Sequence, residues 1–431
     1  MKTIYQLLLF LTLISSVRAE QAGDNTRLAG GRFSRRELIS IVLRDNPTVK
    51  ASRARWEAMK ARVPQVRAWE DLRLETQTRV ERSVPMQPNT MMDSMAMLEQ
   101  EIPVTGKNLS RGRAATAEAR AAFEDFRRAE LDVIMRARSE YARLANGYAQ
   151  LEVNHRNTDL LDQFVQISRS RYETGVATQA DVLIAQTDAA RLREMLADLE
   201  RQISEAQSAL NVLMNRPAQS ALGQPSAPAF AAQTLSLQKL QNIALEQRPE
   251  LQRAKDRLEA ERSRFELARR QWFPDPALNV TAQRYTAAAQ AVSEVDVGIS
   301  FPIPWLNLKK YGAGVLEARK GVENAEHEFG AARIETLGLV RDQLKKIQTS
   351  ANQYELYRDS ILPLARQTVG ASRAAYESST GGFLELITAR RTLQDAESAA
   401  LNHLADYEIS IAELDAIIGR TRPLIEQGGA H

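Results

Sequence analysis

Between residues 294 and 301 apolar and polar positions alternate without interruption. Val295, Val297, Ile299 and Phe301 share one parity; Glu294, Asp296, Gly298 and Ser300 share the other. A period of two puts the first set on one face of a β-strand and the second on the opposite face. Leu278, Val280 and Ala282 alternate with Asn279, Thr281 and Gln283 in the same way. So do Leu72, Leu74, Thr76, Thr78 and Val80 with Arg73, Glu75, Gln77 and Arg79. Met91 to Ile102 reads as a fourth extended segment, ended by Pro103.

Over most of the remaining chain the spacing is helical. Leu337, Val340, Leu344, Ile347, Ala351 and Tyr354 step by three and four, as do Ala396, Ala400, His403, Tyr407, Ile411, Leu414 and Ile418. Such narrow, alanine-rich stripes are coiled-coil seams that need helical neighbours. Helices are expected over residues 36–71 (with a kink at Pro64), 108–172, 178–215, 236–272, 308–376 and up to about 418. The 108–172 helix would be about 100 Å long at 1.5 Å per residue. Thr178 is placed as an N-cap.

The order of elements occurs twice, and a long-period duplication governs the fold. Asn46-Pro47 recurs as Arg248-Pro249 and Trp69 as Trp272. Pro103, Asn108-Leu109 and Glu118-Ala119-Arg120 recur as Pro302, Asn307-Leu308 and Glu317-Ala318-Arg319. Tyr172-Glu173 with Asp181-Val182-Leu183 recurs as Tyr376-Glu377 with Glu385-Leu386-Ile387. The division read from this is a signal at 1–19, a flexible segment at 20–35, repeats at 36–215 and 236–418, a linker at 216–235 and a tail at 419–431.

Met1-Lys2, the apolar run from Leu7 to Val17 and Val17-Arg18-Ala19 form a secretory signal with cleavage expected before Glu20. Its apolar run is too short to span a bilayer. Loss of Lys2 and Arg18 takes the net charge from +3 to +1, which gives no reason to expect a nucleic-acid partner. With no cysteine, an exported chain must hold together by packing, and an N-terminal lipid is not expected. If the chain spans a membrane, it must do so as a β-barrel. Four strands of about ten residues can cross a bilayer when tilted but cannot close a barrel, which needs about eight. Copies of the chain must therefore pool their strands.

Nothing points to catalysis, since phosphate-loop, zinc-protease and nucleophile-elbow patterns are absent and no cofactor is implied. His155, His327, His403 and His431 show no ligand spacing. Met86, Met91, Met92, Met95 and Met97 cluster at the first strand pair. Thioethers take Cu(I); the alternative is that they face lipid or lie in a loop. Two other architectures compete: a periplasmic adaptor, which would have a single helical hairpin, and a soluble coiled-coil protein, which would have no strands.

On the duplication, the strand pairs and the two turn-helix motifs, the chain resembles the TolC family of trimeric bacterial outer-membrane efflux channels. Those motifs are Tyr172-Glu173-Thr174-Gly175 through Asp181-Val182-Leu183-Ile184-Ala185-Gln186, and Tyr376 through Leu384-Glu385-Leu386-Ile387-Thr388-Ala389. Pro103-Val104-Thr105-Gly106 and Phe301-Pro302-Ile303-Pro304 resemble the heavy-metal branch of that family. The resemblance implies a mainly α fold with a β-barrel part: a homotrimer with twelve strands in outer-membrane lipid and a periplasmic coiled-coil tunnel. It implies a periplasmic adaptor and an inner-membrane pump of the RND type as partners. It places Glu385, with Thr388 where a second acid is usual, at the pore gate. It places Tyr376 and Asp181 in a closed-state latch, whose second link lacks its partners at Gly381 and Ala180. Gly175, Val176, Gly381 and Gly382 become adaptor-docking tips, and Ser379 stands where glycine is usual.

Overall fold

The computed structural model describes residues 31–80, 92–226, 230–231, 235–286 and 291–421. The signal, Met86, Met91 and most of the C-terminal tail lie outside them. The chain forms two compact units, each drawing on both repeats. One comprises Ser52–Arg127 with Pro249–Glu335; the other takes the remainder.

The first helical stretch of each repeat is two helices. α1 (Arg35–Asp45) gives way to α2 (Pro47–Arg67), and, further along, α5 (Leu237–Gln247) gives way to α6 (Pro249–Arg270). The expected kink at Pro64 is replaced by these breaks. A residue before proline is driven out of the helical region, and Asn46 and Arg248 sit at ψ 124° and 121°. Pro64 lies inside α2, one turn from its end.

The strand-bearing unit contains β1 (Arg73–Thr78), β2 (Met92–Glu101), β3 (Ala277–Thr286) and β4 (Ala291–Ser300) in one antiparallel sheet, in that order. β2 pairs with β3, so the two repeats meet inside the sheet, and β1 and β4 are its edges. The register sorts the side chains by face. Leu74 lies opposite Leu98, Leu98 opposite Val280, and Val280 opposite Val297. This face is apolar and exposed, with Val295, Val297 and Ile299 each about 70% accessible. The other face carries Glu75 opposite Met97, Met97 opposite Thr281 and Thr281 opposite Asp296. Met95, between Gln77 and Gln283, shares that polar face. Met95 and Met97 therefore lie in a strand rather than a loop, on the face that carries the polar residues.

Beneath the sheet the repeats are clamped where β2 leaves and β3 enters. Ile102 donates its N–H to the Pro276 carbonyl at 2.8 Å. The buried Asp275 carboxylate accepts the Thr105 N–H at 2.9 Å and pairs with Lys107 at 3.1 Å. Arg270 donates to the Thr105 carbonyl at 2.8 Å. Burial alone would raise the Asp275 pKa, but the Thr105 and Lys107 contacts overcome it and hold the group below the usual carboxylate range.

α3 (Lys107–Glu173) is one unbroken helix, followed by α4 (Gln179–Leu213). In the second repeat a 3₁₀ turn (Pro304–Asn307) leads into α7 (Leu308–Leu356), a π turn (Tyr357–Ile361), α8 (Leu362–Glu377) and α9 (Phe383–Ile417). In the second unit the expected seams meet: Val340, Leu344 and Ile347 pack with Tyr407, Ile411, Leu414 and Ile418, under Leu240 and Ala244. The linker packs too, since Pro225 bridges to Phe33 and the Tyr141 hydroxyl bonds the Phe33 and Ser226 carbonyls at 3.1 and 3.2 Å.

Candidate functional site

The turns joining α3 to α4 and α8 to α9 have the same backbone. Gly175 donates to the Tyr172 carbonyl and Val176 to that of Arg171; Ser379 donates to Tyr376 and Thr380 to Ala375. This is a Schellman ending, whose pivotal residue is left-handed. Gly175 has φ +77° and Ser379 has φ +58°. The difference in sequence therefore leaves the turn unchanged. Glycine takes this conformation freely, whereas an L-residue is strained in it. A serine here is favoured by Arg171 of the first hairpin, which donates to the Ser379 hydroxyl at 2.6 Å and to the Tyr376 carbonyl at 2.7 Å.

Arg171 is the residue the sequence reading missed. Its guanidinium carbon lies 4.6 Å from the centre of the Tyr376 ring, a cation–π distance. Tyr376 also packs against Phe383 at 5.3 Å, within a core of Leu161, Phe164, Leu192, Leu386 and Ile387. The Tyr376 hydroxyl is buried and has no hydrogen-bond partner among the described residues. Burial raises its pKa; Arg171 opposes the shift and the Asp181 charge adds to it. Asp181 stands in the first turn of α4. Its carboxylate accepts the Thr178 N–H at 3.0 Å, while its own N–H donates to the Thr178 hydroxyl at 3.3 Å. That is a complete capping box with Thr178 at the N-cap, as expected.

The second motif has no such box. Gly382 occupies the N-cap position of α9 and has no side chain to cap with. Glu385, the counterpart of Asp181, is exposed in the first turn of α9. It lies with Thr388 along a groove between α8 and α9, beside Thr368, Ser372 and Thr392. The two expected gate residues are thereby brought together. Thr388 donates its hydroxyl to the Leu384 carbonyl at 2.7 Å. Among the tip residues Gly175 and Val176 are exposed. At Gly382 an added Cβ would meet open space, whereas at Gly381 it would press on Ala375 at 2.9 Å.

Further along the same two helices, an ionic cluster fastens α4 to α9. Asp188, 2% exposed, takes the Arg390 guanidinium at 3.0 Å and is held bidentately by Arg391. Burial would raise the Asp188 pKa, but the Arg391 and Arg390 hydrogen bonds overcome that and depress it. The sequence signal for this cluster was an acid and two arginines at seam-like positions of facing helices. Among the described residues no group of three His, Asp or Glu side chains could hold a metal ion.

A family model described as outer membrane efflux protein matches residues 38–216 and again 240–420. The cobalt-zinc-cadmium resistance protein CzcC of Cupriavidus metallidurans is 26% identical over 61% of this chain and 62% of its own length. The toluene efflux pump outer membrane protein TtgF of Pseudomonas putida is 24% identical over 72% of this chain and 65% of its own. The chain thus spans somewhat under two thirds of these relatives. Among solved structures, VceC of Vibrio cholerae superposes with a TM-score of 0.76 at 19% identity, covering 90% of this chain and 96% of that one. The Campylobacter jejuni channel CmeC gives 0.75 at 16%, covering 91% and 88%. With both halves matched by one family model, and with the fold of these channels, the chain belongs to the outer membrane efflux protein family.

Proposed function

We propose that the protein is the outer-membrane channel of a tripartite efflux system, a passive conduit that carries substrate from an inner-membrane pump and a periplasmic adaptor to the outside. The observation that carries this is the sheet, with one apolar exposed face, one polar face and two edge strands. Such a sheet suits lipid outside and water inside once three copies join edge to edge into twelve strands. The signal read at 1–19 delivers the chain to the export pathway. Purified protein in a planar bilayer should conduct, and outer-membrane fractions should contain heat-stable trimers. A monomer released with the periplasm would sink the proposal.

In this reading three Glu385 carboxylates ring the narrow end. Gly175, Val176, Gly381 and Gly382 meet the adaptor. Tyr376 and Asp181 latch the closed state, Tyr376 through its unpaired hydroxyl. Tyr376→Phe should then raise resting conductance, and an unchanged closed state would discard the latch. Metal cations are the cargo we favour, given the likeness to CzcC and the place of Met95 and Met97 on the face that would line the lumen. A deletion strain should lose metal tolerance; loss of solvent or drug tolerance alone would point instead to the cargo that TtgF is named for.

A further inference from the structure

The clamp under the β2–β3 join has a duplicate that is incomplete within one chain. Asp275 stands two residues before β3, and Asp71 stands two residues before β1. Arg270 ends α6, and Arg67 ends α2. The receiving segment is also repeated: Ile102, Thr105 and Lys107, placed around Pro103, correspond to Phe301, Pro304 and Leu306, placed around Pro302. Within the chain Asp275 is filled by Thr105 and Lys107. Asp71 is exposed and makes no hydrogen bond or ion pair among the described residues, and the same holds for Lys309.

We propose that Asp71 of one copy closes on the 301–310 segment of the next copy, forming the join between copies that Asp275 forms within the chain. This rests on the channel reading above, and it goes beyond it in naming the residues of the seam. The occupant is a second copy because β1 and β4 are the two edges of the sheet, and the duplication supplies each with the other's counterpart as neighbour. The two clamps differ in chemistry. Thr105 gives an N–H to Asp275, but its counterpart Pro304 has no N–H to give. Lys107 gives an ammonium, but its counterpart is Leu306. Lys309 and Lys310 lie three and four residues beyond Leu306, one helical turn along on the same side. Asp71 therefore meets a lysine ammonium without the backbone bond, and Arg67 retains a carbonyl, that of Pro304, to match the Arg270–Thr105 bond. The equivalence of Ile102 with Phe301, and of Pro276 with Leu72, sets the register, so that Ile299 faces Leu74 of the next copy.

The natural chain has no cysteine, so paired cysteines report on this seam without background. Asp71→Cys combined with Lys309→Cys, or with Lys310→Cys, should give covalent dimers and trimers on oxidation of intact membranes. Leu74→Cys with Ile299→Cys is the control for strand pairing. If the strand pair links and neither lysine pair does, the Asp71 clamp is overturned while the trimer stands. If no pair links, the pooled barrel itself fails and the clamp with it. Asp71→Lys should lower the heat stability of the trimer, and Lys309→Asp together with Lys310→Asp should restore it. Failure of that rescue in a membrane-inserted double variant also overturns the charge pairing.

Discussion

At the scale of single residues, the two turn-helix motifs differ in what their acids are bound to. Asp181 is held in a capping box by Thr178; Glu385 is not, because Gly382 has no side chain. Gly382→Thr should rebuild the box, draw Glu385 onto the N-cap and stabilise the helix by roughly a few tenths of a kcal/mol. Its check is bilayer recording: cation preference should fall as the melting temperature rises. Asp188 carries a different prediction. Its folded pKa is depressed, so the stability it contributes is complete above the ordinary carboxylate value of about 4 and fades as pH falls through the lower native value. Asp188→Asn leaves Arg390 buried without its charge partner and should cost about 3–5 kcal/mol at neutral pH. The variant should also lose part of the wild-type acid dependence, read as melting temperature against pH from 3 to 7. An unchanged neutral melting temperature would show the cluster to be energetically idle.

At the scale of elements, the second long helix carries an insertion. Arg120 to Tyr172 spans 52 positions, whereas Arg319 to Tyr376 spans 57. Four of the five extra residues make about one α turn, and the fifth is left over. The π turn at Tyr357–Ile361 absorbs it, as an extra residue inside a helix does. Deleting Ser360 should restore a plain α-helix and rotate everything beyond by about 100°. Ala365 and Tyr376 would leave their buried positions, so the tip should become protease-sensitive; a protease-resistant tip would refute this account. None of this was legible from periodicity, because a seam of small residues continues through a one-residue slip with little change in pattern. The strands were legible because their alternation fixes face and register together. The breaks before Pro47 and Pro249 follow from the pre-proline restriction on Asn46 and Arg248, whereas Pro64, one turn from the end of α2, leaves its helix unbroken. Arg171 could not be found from sequence, since its role depends on a turn more than two hundred residues away.

At the scale of the whole molecule, the exposed apolar face of the sheet is the observation on which the proposed assembly rests. Val297→Arg places a charge where lipid is expected and should cost about 2–4 kcal/mol near mid-membrane. Asp296→Arg, one residue away on the polar face, should insert normally and shift ion preference toward anions. The pair is checked by membrane fractionation followed by reversal potentials. Equal insertion of both would mean that the face does not meet lipid. Unlike the strand faces, the trimer count came from resemblance alone, because a sheet's edges show that it needs partners without saying how many.

The unequal caps have a consequence for descent. Duplication left two copies of one acid, and the first remains tied to starting a helix. The second can be exchanged, added to or removed without unwinding the element that carries it. If Glu385 lines the narrow end as proposed, lineages can retune its charge by single mutations that the fold tolerates, whereas the same change at Asp181 also costs the α4 cap, about 1 kcal/mol.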